Sequence, residues 1–247
     1  MIFPPYLTNL SMKPDIQTGD SFPTNLPLFS SGLFNLQINR PISIIVGENG
    51  SGKSTILEAI AKHCGFSLAG GNANHLTHRS EDSSELSAIL RFSWKIKPRG
   101  GFFLRAETLQ EFGAYLDEMA DEYGDAIAYA GYGGKSLRKQ SHGEGYLGIL
   151  QSRLDTKGLV LLDEPEAALS PNKQMQLLAL LGEAEKENKA QVIIATHSPI
   201  IMSYPNAQLF EIYEGGLEEK SYKETEHYRL YARFLADPEK YHQLILG

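Results

Sequence analysis

The sequence predicts an α/β protein built on a mainly parallel sheet flanked by helices. Three short runs predict it: Ile42-Ser43-Ile44-Ile45-Val46, Gly158-Leu159-Val160-Leu161-Leu162 and Gln191-Val192-Ile193-Ile194-Ala195. Each is a short, nearly continuous apolar run, the pattern of a strand covered on both faces. Stretches with helical spacing follow the first two, and strands alternating with helices favour parallel pairing.

Residues 1–31 are rich in Pro, Ser and Thr and read as an irregular or short-stranded lead-in. Phe34, Leu36 and Ile38 then alternate with Asn35, Gln37 and Asn39, the period of a half-buried strand that Pro41 ends. After the first apolar run, Thr55 to His63 reads as a helix with Ile56, Leu57 and Ile60 on one side. Gly70-Gly71-Asn72-Ala73-Asn74 is loop-like, and Arg79 to Ser84 is polar. Strands are expected over Ile89–Ile96 and Gly101–Leu104, then a helix over Ala106–Glu122 carrying Leu109, Phe112, Leu116 and Met119. Residues 65–140 are therefore expected to form a small inserted, helical lobe within a single domain spanning 1–247. Tyr129 to Gly134, rich in glycine and tyrosine, reads as mobile until something binds it. Pro171 introduces a helix over Asn172–Asn188. Ala207–Tyr213 and Leu217–Tyr222, joined at Gly215-Gly216, give an antiparallel hairpin. A helical tail, roughly 225–247, breaks at Asp237-Pro238.

Composition limits the classes of function. With 247 residues and 42% hydrophobic content, the chain can bury a substantial core. A net charge of −7 argues against coating nucleic acid by bulk electrostatics and leaves a local basic groove open. The single cysteine, Cys64, cannot form an internal disulfide and reads as a small buried hydrophobe, which fits a reducing cytoplasm. No apolar run approaches a membrane span, and MIFPPYLTNLSMKPD lacks a signal pattern. A cytoplasmic protein without direct membrane insertion is expected.

Gly47-Glu48-Asn49-Gly50-Ser51-Gly52-Lys53-Ser54, followed by Thr55, matches G-x-x-x-x-G-K-[ST] without departure, directly after a strand and before a helix. Glycines let backbone N–H groups wrap a phosphate, and the helix N-terminus adds a favourable dipole. Lys53 is expected to reach the β- and γ-phosphates of ATP, and the Ser54 hydroxyl to ligate magnesium. Leu159 to Leu162 ends in the carboxylates Asp163 and Glu164, and ligands of parallel sheets gather at such strand ends. Asp163 is expected to hold magnesium, directly or through water, and Glu164 to take a proton from the attacking water or orient it.

Further segments complete a resemblance. Ser141-His142-Gly143-Glu144 precedes Asp163 by 22 residues; Ala168-Leu169-Ser170-Pro171 and Thr196-His197-Ser198 follow it. This order of motifs resembles the ATP-binding-cassette (ABC) type of P-loop ATPase: phosphate loop, signature, acidic strand, D-loop and switch histidine. With Gly101 to Glu107, it is similar to small stand-alone bacterial ATPases labelled as AAA-family, relatives of the SMC-like and double-strand-break-repair heads. The resemblance implies a head-to-tail homodimer formed on ATP. Ser141 and Gly143 of one copy would touch the γ-phosphate held by the other. Ser170 would contact the opposing site, and His197 would sense the γ-phosphate and steady the water. It leaves DNA or a protein open as the partner, with a transporter's ATP-binding subunit as the alternative.

Two departures stand out: His142 replaces the usual first signature glycine, and no Q-loop glutamine follows the phosphate loop at the usual place. Glu107 or Gln110 is the available substitute. Phe34 reads as an adenine platform or a core residue. Arg105 reads as a cation near the γ-phosphate or a partner of Glu107. Lys135, Arg138 and Lys139 read as phosphate or nucleic-acid ligands or as a solvated basic turn. His63, His75, His78, His227 and His242 lack metal-ligand spacing. Tyr228, Tyr231, Phe234 and Tyr241 read as packing residues rather than a base-stacking platform.

Overall fold

The three apolar runs are parallel strands of one sheet: β3 (Ile42–Val46), β6 (Gly158–Asp163) and β7 (Ala190–Ala195), with β7 between the other two. The computed structural model describes residues 2–16, 19, 22–30, 32–68, 82–98, 100–130, 132, 134, 140–214 and 216–246. β5 (Gly101–Arg105) extends the sheet in parallel beside β6, and β8 (Gln208–Tyr213) beside β3. β9 (Gly216–Glu219) turns back antiparallel on β8, giving the order β5-β6-β7-β3-β8-β9.

Every residue of β3, β6 and β7 is buried, because both faces are covered. Ile44, Val46, Val160, Leu162, Val192 and Ile194 pack under Tyr146 and Leu150 of α6 (His142–Leu154) and Leu177 and Leu181 of α7 (Pro171–Glu187). Ile45, Leu159, Leu161, Ile193 and Ala195 pack on the other face against Ile56, Leu57 and Ile60 of α2 (Lys53–Cys64). Burying one such aliphatic side chain contributes about 1.5–3 kcal/mol. These strands therefore fix where their carboxyl ends lie.

The lead-in contributes β1 (Leu7–Met12), the middle strand of a second, antiparallel sheet with β2 (Asn35–Gln37) and β4 (Leu90–Trp94). Gln191 of β7 ties this sheet to the core. Its Oε1 accepts the N–H groups of Tyr6 and Leu7 at 2.8 Å each, and its Nε2 donates to the Leu7 carbonyl at 2.9 Å.

Residues 65–140 divide between layers. β4 belongs to the small sheet and β5 to the main one, while α4 (Leu109–Tyr123) and α5 (Asp125–Ala128) follow β5 as helices. The strand expected from Ile89 begins at Leu90, after α3 (Asp82–Ile89). Two helical turns give little periodicity to read. The helix expected from Ala106 begins three residues later, because Ala106 N–H bonds the Asp163 carbonyl in the preceding turn. Tyr129 and Tyr132, expected to be mobile, are buried. The Tyr129 hydroxyl donates to Asp117, and Tyr132 lies edge-on to Phe112 at 5.2 Å under the Arg153 guanidinium. Gly70 to Asn74, residues 79–81 of the polar stretch, Lys135, Arg138, Lys139, His75, His78 and Gly215 lie outside the described residues.

The tail breaks where the sequence places the break, between α9 (Glu226–Ala236) and α10 (Pro238–Leu246). Three of its four aromatics, Tyr228, Phe234 and Tyr241, pack against other rings as expected, yet much of its apolar face stays open. Tyr228 lies edge-on to Tyr222, and Phe234 to Tyr241, but Leu230, Tyr231, Phe234, Leu235, Leu244, Ile245 and Leu246 remain exposed. The tail packs within itself and joins the body through its first turn.

Candidate nucleotide site

The loop Gly47–Ser54 leads from β3 into α2 at the carboxyl edge of the main sheet. A Cβ at Gly47 would lie 2.9 Å from Ser51 Oγ and 3.1 Å from the Ile212 carbonyl oxygen, so only glycine fits. Glu48, Asn49 and Gly50 are exposed, Gly52 is buried, and Thr55 is half-buried in the first turn of α2. The first N–H groups of a helix have no partner within it and suit an anion. Ser51 Oγ is buried without a hydrogen-bond partner, a second polar atom left for a ligand. Lys53 is buried, and its Nζ donates to the Gly47 and Glu48 carbonyls at 2.8 and 2.9 Å. Burial lowers its pKa, and the carboxylates of Glu164 and Asp163 oppose the drop.

Ser54 and Asp163, separated by 109 residues, meet: Ser54 Oγ donates to Asp163 Oδ1 at 2.9 Å. A hydroxyl beside a carboxylate offers two hard oxygens, the donor type magnesium takes. Among the described residues no cluster of three or more His, Cys, Asp or Glu forms a complete metal cage. Arg105 takes the other oxygen, Nε to Asp163 Oδ2 at 2.8 Å, and reaches Glu58 of α2 at 2.5 Å. Burial opposes the Arg105 charge, but Glu58 and Asp163 outweigh it and hold the guanidinium pKa above its usual value. Its partners are thus Asp163 and Glu58, not Glu107, one of the two readings open for it. Strand register explains this, since Arg105 and Asp163 are paired neighbours on β5 and β6. Glu58 stands one helical turn after Ser54, a spacing that sequence could have exposed.

Glu164 leaves β6 in a left-handed conformation, φ 47°, with its N–H bonded to the Ala195 carbonyl at 2.9 Å. This turn puts its carboxylate 3.8 Å from His197 Nε2. The residues after β7 are held from below by Glu166. Its two oxygens accept the Thr196 hydroxyl at 2.7 Å and the His197 N–H at 2.6 Å. His197 Nε2 is buried without a hydrogen-bond partner, while Nδ1 lies 3.3 Å from Nε2 of His227. Burial, and then Lys53, lower the His197 pKa, so the neutral ring dominates near pH 7. Sequence reasoning missed Glu58, Glu166 and His227, and for the last two no spacing in the chain signals the contact.

The signature segment is held separately. Ser141 caps α6: Glu144 N–H donates to Ser141 Oγ, and Glu144 Oε2 accepts Ser141 N–H at 2.9 Å. Lys173 donates to Ser141 Oγ at 3.0 Å. A Cβ at Gly143 would fall 2.6 Å from Lys173 Cδ and 3.1 Å from the Ala168 carbonyl. Ser170 is the exposed N-cap of α7. Among the described residues no hydrogen bond joins Ser141, Gly143 or Ser170 to the phosphate loop. Phe34 is a core residue, 5% exposed and edge-on to Phe29, with no face left for a base. Glu107 and Gln110 are both exposed, just after β5. A cleft of about 1060 Å³ runs from Glu48 and His197 to Tyr231, Phe234 and Tyr241 of the tail.

Residues 27–97 match the family described as "AAA domain", and residues 145–203 the family described as "AAA domain, putative AbiEii toxin, Type IV TA system". The thiamine import ATP-binding protein ThiQ of Ruegeria sp. (strain TM1040) is 29% identical over 63% of this chain and 70% of its own. The lipoprotein-releasing system ATP-binding protein LolD of Treponema denticola is 26% identical over 82% and 94%. These matches support an ABC-type P-loop ATPase. The ATPase binds and hydrolyses ATP. Among solved structures, cbiO1 from Clostridium perfringens superposes on the ATPase with TM-score 0.49 and 20% identity, covering 97% of this chain and 99% of that one. A second, an SmcHead bound to the C-winged helix domain of ScpA, gives 0.48 and 15%, covering 87% and 98%. No helix among the described residues is long and apolar enough to cross a membrane.

Proposed function

We propose that this chain is a magnesium-dependent, cytoplasmic ATPase domain that works as a pair. Two copies face head to tail, with ATP between residues 47–55 of one and Ser141 and Gly143 of the other. The observation that carries the nucleotide half is the Ser54–Asp163 contact at 2.9 Å beside the buried Lys53. In this reading Lys53 leaves its two carbonyl partners for phosphate oxygens, and Gly47, Glu48, Asn49, Gly50, Ser51, Gly52 and Thr55 surround the phosphates. Ser54 and Asp163 hold the magnesium ion, which supplies charge neutralisation on the phosphates when bound. Water forms the new bond to the γ-phosphorus, the bond to the bridging oxygen breaks, and ADP leaves with that electron pair. Glu164 receives the water's proton, and His197 steadies the water and γ-phosphate. Ser170 reaches the opposing site.

Nucleotide held between two copies gives the paired state its extra affinity, and hydrolysis removes it, so the pair is a switch. We place that switch in DNA repair or defence. The alternative, an ATP-binding subunit of a transporter, is supported by the names of the relatives ThiQ and LolD. Against it stand His142 in the signature and the missing coupling-loop glutamine.

Light scattering of wild type and Glu164→Gln with Mg-ATP tests the pair. A trapped dimer with nearly abolished turnover is expected in the variant; monomers with unchanged turnover overturn the reading. Affinity for DNA that strengthens with ATP at low salt supports the repair or defence branch. Absence of any binding removes it.

A further inference from the structure

We infer that His227, in the first turn of the tail helix, is a positioning residue for hydrolysis: it holds the His197 ring as the Nε2–H tautomer, aimed at Glu164. The inference rests on the role given to His197 above.

The first turn of α9 is anchored where the rest of the tail is exposed. Thr225 is fully buried, and its Oγ1 accepts the Tyr228 N–H at 3.2 Å. The Glu226 N–H donates at 2.8 Å to Glu211 Oε1, and Lys220 donates to Glu211 Oε2 at 2.8 Å. Glu211 is itself buried on β8, beside β3. This turn carries His227 to His197 with its side chain only 12% exposed, ring centroids 5.5 Å apart.

The Nδ1 of His197 and the Nε2 of His227, 3.3 Å apart, can share one proton only if one donates and the other accepts. The proton's place is assigned from the neighbours. If His197 donated, its Nε2 lone pair would face the Glu164 carboxylate at 3.8 Å, negative against negative. If His227 donates, His197 carries its proton on Nε2 and presents it to Glu164. The second arrangement is the favourable one. His197 Nε2 is buried with no hydrogen-bond partner, so it is the ring nitrogen left to face Glu164 and a ligand. The cost is that His227, with its proton on Nε2, turns its Nδ1 lone pair toward Glu211 Oε1 at 4.0 Å. That carboxylate is already paired with Lys220 and accepts the Glu226 N–H, so this repulsion is the weaker one.

The test uses the full chain, His227→Phe and His227→Gln. Phenylalanine keeps the ring and removes the donor; glutamine restores an N–H near the same place. His227→Phe is expected to lower kcat about 10-fold or more while the KM for ATP changes less than about 2-fold. His227→Gln is expected to recover turnover to within about 3-fold of wild type. Long-range proton–nitrogen spectra should show His197 as the Nε2–H tautomer in wild type and lose that preference in His227→Phe. Wild-type kcat in His227→Phe, equal damage in both variants, or an Nδ1–H His197 in wild type overturns the inference. If His227→Phe fails to fold, the glutamine variant and the wild-type spectrum still decide. The parent reading fails separately, by undiminished turnover in Glu164→Gln.

Discussion

The strand-end edge and the signature turn carry similar small polar residues, yet they are held in opposite ways. At the strand ends the contacts span the chain: Ser54 to Asp163, Arg105 to both Asp163 and Glu58, and Glu166 to Thr196 and His197. At the signature, the cap is local, Ser141 to Glu144 three residues on, with Lys173 added from α7. The first region cannot change without disturbing the sheet. The second can be altered, or can face a new partner, with little cost to the fold. Replacements should therefore affect folding and chemistry together at the strand ends and separate them at the signature.

The largest effect is expected from Lys53→Ala, a loss of hydrolysis of about 100-fold or more, read as phosphate release. Next is Arg105→Ala, which leaves Asp163, its side chain 4% exposed, without its cation. It should lower unfolding free energy by about 3 kcal/mol in urea titration, and turnover with it. Unchanged stability there would break the contrast from the strand-end side.

How much of this was legible follows the same division. Continuous apolar runs give the parallel strands directly, because two covered faces leave no polar positions. The phosphate loop and Asp163 are legible because each sits at the end of such a run. Gln191, a polar residue in a buried strand, is legible as an oddity, but its partners Tyr6 and Leu7 are not, being about 185 positions away. Glu166 and His227 are hidden for the same reason: their contacts arise when separate strand ends converge. That much of the tail's apolar face lies open is not legible, because an amphipathic helix looks the same whether that face is covered or open.

Smaller effects sharpen the comparison. Ser141→Ala should cost about 1 kcal/mol of stability, the usual loss of a helix cap. Its turnover per copy should no longer rise with protein concentration, whereas wild type should show that rise. A stability loss as large as that of Arg105→Ala would erase the distinction. The smallest effect is with pH. The His197 pKa is lowered by burial and then by Lys53, so the folded protein resists its protonation. That contribution is fully present above the unfolded value of about 6.5 and is lost as pH falls through the lower folded value. Urea titrations at descending pH should show the decline, and His197→Asn should flatten it.

Lys53 already has two oxygen partners of its own, the carbonyls of Gly47 and Glu48. Binding at this loop is thus an exchange of partners, and the affinity measured is a difference between two sets of bonds. A small anion that offers the lysine little beyond what it already has should gain little. A triphosphate, engaging the helix start, Ser54 and the lysine at once, tips the exchange. Discrimination by length of the phosphate chain is in that sense written into the loop's own hydrogen bonds.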